Sequence, residues 1–272
     1  MTARAALLLC AAAAGCAKSA GPSPAPTPGS ATDAARAAPS PVPADTTQLV
    51  TTVVDGLAAT TGVLHLWHRV KGTVVWKDDG GWTVVVGRGV AWGRGLHGDG
   101  APTGREGPVK REGDGKAPAG IFELRGAYGY AAAPPAGTAL PYSALDARTE
   151  CVDDPGSPHY TQILERPVAA AGWTSAEKMR RTDDLYTWVI DIAHNPDAVR
   201  SAGSCIFFHV WRDEHSPTVG CTAMPERRLR TLLTTLSPAA KPVYVLLPRA
   251  EYVALQPAWG LPPLDASETV AP

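Results

Sequence analysis

Val63-Leu64-His65-Leu66-Trp67-His68-Arg69-Val70-Lys71-Gly72-Thr73-Val74-Val75-Trp76 sets β-branched and aromatic residues on both sides of a Lys-Gly step. It reads as a β-hairpin that turns at Lys71-Gly72. Outward from it, residues 81–86, 121–124, 185–193, 205–210 and 242–247 carry the same apolar, β-branched character and predict further strands. Residues 87–120 are dominated by glycine, charge and proline and predict a long surface loop. Helices are few. Leu229, Leu232, Leu233 and Leu236 recur at helical spacing after Met224, until Ser237-Pro238 stops the run. A short second helix is expected over residues 173–181. The fold class that follows is mainly β with a few short helices (α+β), without an internal repeat.

The ends of the chain have a different character. Residues 1–16 open with a basic tip, Met1 to Arg4, and continue in an apolar run too short to span a bilayer, which reads as an export signal. The signal ends in Ala13-Ala14-Gly15-Cys16, which resembles the lipobox of bacterial lipoproteins and makes Cys16 a lipidation site. Residues 17–47 are almost wholly Ala, Pro, Ser, Gly and Thr, a composition that cannot bury enough apolar surface to fold and predicts a tether. Residues 48–261 form the domain and 262–272 a loose tail. The expected location is the cell envelope (periplasm), with the domain held to a membrane through Cys16.

A net charge of −1 and the lack of a basic block argue against nucleic acid as a partner. Of five cysteines, Cys10 and Cys16 belong to the signal, leaving Cys151, Cys205 and Cys221 in a compartment where disulfides persist. Cys151 with Cys205 is the expected pair, leaving Cys221 free. On a straight strand Cys205 would lie ~13 Å from His209, too far for proton transfer, whereas Cys221 on a returning loop has no such restriction.

The chemistry concentrates in Phe207-Phe208-His209-Val210-Trp211-Arg212-Asp213-Glu214-His215-Ser216-Pro217-Thr218-Val219-Gly220-Cys221. A thiol is a strong nucleophile only as the thiolate, so a free cysteine on a glycine loop with a histidine folded back beside it points to covalent acyl transfer. Cys221 is the nucleophile and His209 its base. Gly220 allows close backbone approach, and Thr218 is placed to hydrogen-bond within the loop. The helix expected shortly after Cys221 would put its positive end near the thiolate.

The run from His209 to Thr218-Val219-Gly220-Cys221 resembles the signature of the L,D-transpeptidase (YkuD-like) catalytic domain. Lys116-Ala117-Pro118-Ala119-Gly120-Ile121-Phe122 is similar to that family's Thr-Pro-x-Gly-x-Phe segment. The resemblance spans roughly residues 62–248. It implies a β-sandwich catalytic domain that takes peptidoglycan stem peptides as partners, works without a cofactor, and acts as a monomer. It further implies a thioester on Cys221, direct cross-links between third stem residues, and a catalytic histidine oriented by a backbone carbonyl, here in the neighbourhood of Val210. Three features depart from the pattern: the His-to-Cys spacing is short, Val219 stands where the family has a histidine, and no arginine closely follows the cysteine. A peptidoglycan amide hydrolase using the same pair is the nearest alternative, and a non-catalytic peptidoglycan-binding module a more distant one.

Other residues invite weaker readings. His215 is either a substrate contact or a solvated loop histidine, and His194 is structural. His65 and His68, three apart on a strand, point to opposite faces and make a poor metal pair. A zinc site from His209, His215 and Cys221 has acceptable ligand types, but the thiol reading explains the glycine loop better, so no metal is expected. The eight tryptophans suggest sugar stacking but are read mainly as core.

Overall fold

The computed structural model describes residues 39–167 and 172–264. The export signal, Cys16 and most of the tether lie outside the described residues. In chain order the first strands are β1 (Gln48–Val54), β2 (Thr61–His68), β3 (Lys77–Val85), β4 (Val90–Trp92), β5 (Arg94–Gly95), β6 (Gly98–Asp99) and β7 (Ala117–Gly129). They are followed by β8 (Tyr142–Ala144), β9 (Thr149–Cys151), β10 (Ile163–Glu165), β11 (Glu177–Lys178), β12 (Trp188–Ile192), β13 (Phe207–Val210) and β14 (Thr222–Met224). Helix α1 (Glu226–Thr235), strand β15 (Val243–Pro248) and helix α2 (Arg249–Trp259) complete the domain.

The chain is mainly β, as expected. Its main sheet runs β12-β13-β14-β3-β2-β1-β15-β7, and β7 pairs again with β12, so these eight strands close on themselves. Closure is possible because β7 is long: Gly120 to Glu123 pair with β15, while Leu124 to Gly129 face β12. The expected sandwich of two separate sheets is therefore not what the pairing describes; it is a closed barrel. Most neighbours are antiparallel, but β1 with β15 and β13 with β14 run parallel. Alternation sorts the side chains: along β2, Leu64 and Leu66 are buried while His65 and Trp67 stay half-exposed. The main core includes Leu64, Phe122, Ile190, Phe208, Met224 and Tyr244. A second cluster, with Val189, Phe207 and Cys221 from the barrel wall and Leu145, Cys151, Met179 and Tyr186 from the 130–187 region, packs on the opposite face of β12 and β13. The small sheet β10-β9-β11 belongs to this cap.

Helix α1 is the one the leucine spacing predicts. Leu229, Leu232 and Leu233 are fully buried, each contributing about 2 kcal/mol. Five expectations need correction. The hairpin exists, but its return strand is β3, with His68 opposite Lys77, so Thr73 to Trp76 belong to the turn rather than to a strand. Residues 173–181 form no helix: Glu177 and Lys178 pair with Cys151 and Glu150 as β11, and Trp173 Nε1 donates to Glu150. Residues 87–120 are a surface loop only in their middle, over 100–116; at the ends Val90, Ala91 and Trp92 are fully buried as β4 against the start of β7. The domain also starts before residue 48. Val42 is 5% and Thr46 0% exposed, and Arg69 Nε donates to Thr46 O at 2.7 Å, tying this segment down. At the other end Pro262 is held by the Tyr252 hydroxyl, so the tail begins later than residue 262.

Candidate active site

β13 and β14 run parallel with His209 opposite Ala223. Cys221 lies two residues before Ala223, so period-2 alternation puts its side chain on the same face as those of His209 and Phe207. Neighbouring strands ~4.8 Å apart and an offset of two residues place His209 and Cys221 as diagonal neighbours, ~8 Å between backbones, a gap that the two side chains reaching toward each other can close. Both are nearly enclosed, at 7% and 5% exposure.

The histidine is held in one tautomer. Its Nδ1 is 2.8 Å from Val210 O, and since a carbonyl can only accept, Nδ1 carries the proton and Nε2 keeps its lone pair. Tyr186 packs edge-on against the ring at 5.2 Å and donates its hydroxyl to Glu177 at 2.6 Å. Burial pulls the His209 pKa down to about 4, against a smaller opposing effect from the Val210 carbonyl. Burial, reinforced by the negative charge of Glu177, pushes the Cys221 thiol up to about 12. The resting pair is thus neutral thiol and neutral imidazole. Helix α1 does not lower the thiol pKa: β14 separates Cys221 from Glu226, the first helical residue, by more than the one turn over which a helix end acts.

The loop before the cysteine is locked by its own threonine. Thr218 Oγ1 donates to Cys221 O at 2.6 Å and accepts from Gly220 N–H at 3.1 Å. That is a positioning role, and it commits the Gly220 amide, so the N–H of Cys221 itself is the donor left for an oxyanion. Gly220 has φ +144°, and a Cβ there would meet Ile206 and the Lys116 carbonyl at 3.2 Å. The thiol donates to Cys205 O at 3.6 Å.

Two clefts meet at His209. One, about 480 Å³, is lined by Arg88, Arg181, Arg212, His215 and Trp211. The other, about 230 Å³, holds Cys221 together with Lys110, Glu112, Asp114 and Asp153. Arg88, Glu177, Tyr186, His209, Thr218 and Val219 line both. The first cleft is arginine-rich. In the second, Lys110 pairs with Asp114 and Glu112 accepts from Tyr160 and Ser204; with Asp153 and Glu177 its carboxylates outnumber Arg88 and Lys110 and give it an acidic character.

The structure brings together Cys221, His209, Val210, Thr218 and Gly220. Cys151 and Cys205 form a disulfide and Cys221 is free, the expected division. Cys205 precedes β13 with φ +57°, off the straight strand assumed for it. His215 stands at the rim with its side chain 86% exposed, away from the enclosed pair, which leaves His209, His215 and Cys221 poorly arranged as a zinc set. His65 and His68 each pair with their own aspartate, Asp78 and Asp79. His194 is structural: it is buried and bonds the Ala202 carbonyl and the Arg94 amide. Sequence reasoning missed Glu177, Arg181, Tyr186 and Lys110. The available signal was the density of charge and tyrosine between residues 177 and 186, taken instead for helix and strand. No family model, no curated protein and no solved structure matches the chain.

Proposed function

We propose that the domain is a cysteine-dependent L,D-transpeptidase acting on peptidoglycan stem peptides, exported to the cell envelope and held there through a lipidated Cys16. The observation that carries this reading is the enclosed Cys221–His209 pair, with Nδ1 committed to Val210 O, the thiol in one cleft and the histidine lining a second as well. His209 Nε2 takes the thiol proton as Sγ attacks the carbonyl of the third stem residue. The Cys221 N–H holds the oxyanion, the imidazolium returns the proton to the leaving D-alanine amine, and a thioester remains. An amine from a second stem then gives its proton to His209, attacks the thioester, and releases the thiol with a new amide bond.

The two clefts suit two substrates of opposite polarity. Arg181 is held bidentately by Asp183, so on the arginine-rich side Arg88 and Arg212 favour the carboxylates of a donor stem. These arginines come from elsewhere in the chain and offer the positive charge that no residue just after Cys221 supplies. The acidic side favours an incoming ammonium. A hydrolase with the same pair needs only water in place of that amine, and the presence of a second cleft favours the transferase.

The test is the acyl-enzyme. Intact-mass measurement of wild-type protein mixed with a stem tetrapeptide is expected to give an adduct equal to the tripeptide acyl group on Cys221, with one D-alanine released. An unmodified protein and intact tetrapeptide after prolonged incubation would remove the proposal.

A further inference from the structure

Beside the arginine-rich cleft lies a separate pocket of about 420 Å³, lined by Trp82, Trp211, Glu214, Pro225, Arg227 and Arg228. Trp211 lines both cavities. The acyl-transfer mechanism uses none of this second pocket, and three features of it point to a ligand. Two indoles form its walls, both only half-buried. Arg228, which lines the pocket, stacks 5.1 Å from the Trp82 ring and brings a guanidinium donor to the wall. Glu214 and Arg227 add a charged rim of both signs.

We propose that this pocket is a sugar subsite, taking an N-acetylated hexosamine of the glycan strand that carries the donor stem. The assignment rests on the peptidoglycan reading given above. Indole faces match the C–H face of a pyranose, while Arg228 and Glu214 supply a donor and an acceptor for its hydroxyl and acetamido groups. The spacing agrees. By the register of β13 and β14 the level of Cys221 is that of Phe207, so Trp211 lies four residues along and one strand across from the cysteine, ~14 Å between backbones. Three stem residues span ~10 Å when extended, so a sugar joined beyond the first of them reaches the pocket.

Calorimetric titration of the full-chain Cys221→Ala protein tests this, with a disaccharide-tetrapeptide and the sugar-free tetrapeptide as ligands. The disaccharide form is expected to bind at least tenfold more tightly. That advantage should vanish when Trp82→Ala or Arg228→Gln is added, and return in part with Trp82→Phe. Equal affinity for the two ligands in the Cys221→Ala parent overturns the subsite, as does an advantage that survives in folded Trp82→Ala and Arg228→Gln proteins. Should Trp82→Ala fail to fold, Arg228→Gln carries the comparison. The subsite and the transferase reading can fail separately. Sugar-dependent binding without any turnover by the wild-type protein removes only the transpeptidase, and turnover with equal affinities removes only the subsite.

Discussion

Cys221 and His209 are both uncharged at rest, because the enclosure that excludes water penalises thiolate and imidazolium alike. On the proposed mechanism the thiolate forms only as substrate arrives and the proton moves to His209. Two outcomes follow for pH. The acylation step requires neutral His209, so its rate should hold steady from pH 9 down to 5 and fall only as pH drops through about 4. Alkylation of the free protein by iodoacetamide should be slow at neutral pH and climb through the alkaline range toward about 12. An acylation rate that titrates near 6.5, or rapid alkylation at pH 7, would instead indicate a preformed ion pair. Gly220 is the other decisive residue. Gly220→Ala places a Cβ against the Lys116 carbonyl at a left-handed φ. It should cost about 1–3 kcal/mol and, by shifting Cys221 by ~1 Å, slow acylation about 100-fold; denaturant titration and stopped-flow kinetics check the two effects. The proposed nucleophile and base could be picked out in the sequence because both lie in one short run, residues 209–221. Glu177, Tyr186 and Arg181 were not, since they reach the site from the cap, and no spacing along the chain records a tertiary approach.

At the scale of elements, the site lies where the cap meets the barrel wall, and the Cys151–Cys205 disulfide joins β9 to the residues leading into β13. With a separation of 54 residues, loop closure in the unfolded chain makes this link worth about 4 kcal/mol. The double variant Cys151→Ala/Cys205→Ala should lose that much in urea unfolding; a loss under 1 kcal/mol would mean that packing alone holds the cap. Strands with clear alternation, such as β2, and helix α1 with its leucine face could be read from the sequence. Strand β1, Gln-Leu-Val-Thr-Thr-Val-Val, was passed over because it follows directly on the Ala/Pro/Thr-rich tether. Helix α2 buries Tyr252, Leu255 and Trp259 along one face, but Pro257 inside it obscured the pattern. The false helix at 173–181 shows the converse: Glu177 and Arg181 are four apart and paired, but tertiary pairing with β9 sets their backbone.

For the whole molecule, the barrel closes through one long strand, and no local pattern announces that closure; the second pairing of β7 joins segments about sixty to seventy residues apart, Gly129 with Trp188 and Leu124 with Ile192. Acid should probe the integrity of this body. Burial holds His97, His194 and His209 near pKa 4, so between pH 6.5 and 4 the unfolded chain takes up protons that the folded one refuses, and stability falls as pH falls. Asp191, raised to about 6 by burial, and Glu177, also raised, act in the opposite sense. Three histidines against two carboxyls leave a net loss of about 1.4 kcal/mol per pH unit for each uncompensated proton. The thermal midpoint should decline steadily from pH 6.5 to 4, and a flat or rising profile would mean that these histidines are not enclosed.

The most direct measurement incubates the full-length protein, and separately its Cys221→Ala variant, with purified disaccharide-tetrapeptides and reads the products by mass spectrometry. The account predicts dimers joined between third residues, each formed with loss of one D-alanine, with the wild-type protein alone. Identical product spectra from the two proteins would contradict it, and tripeptides without dimers would make the enzyme a hydrolase.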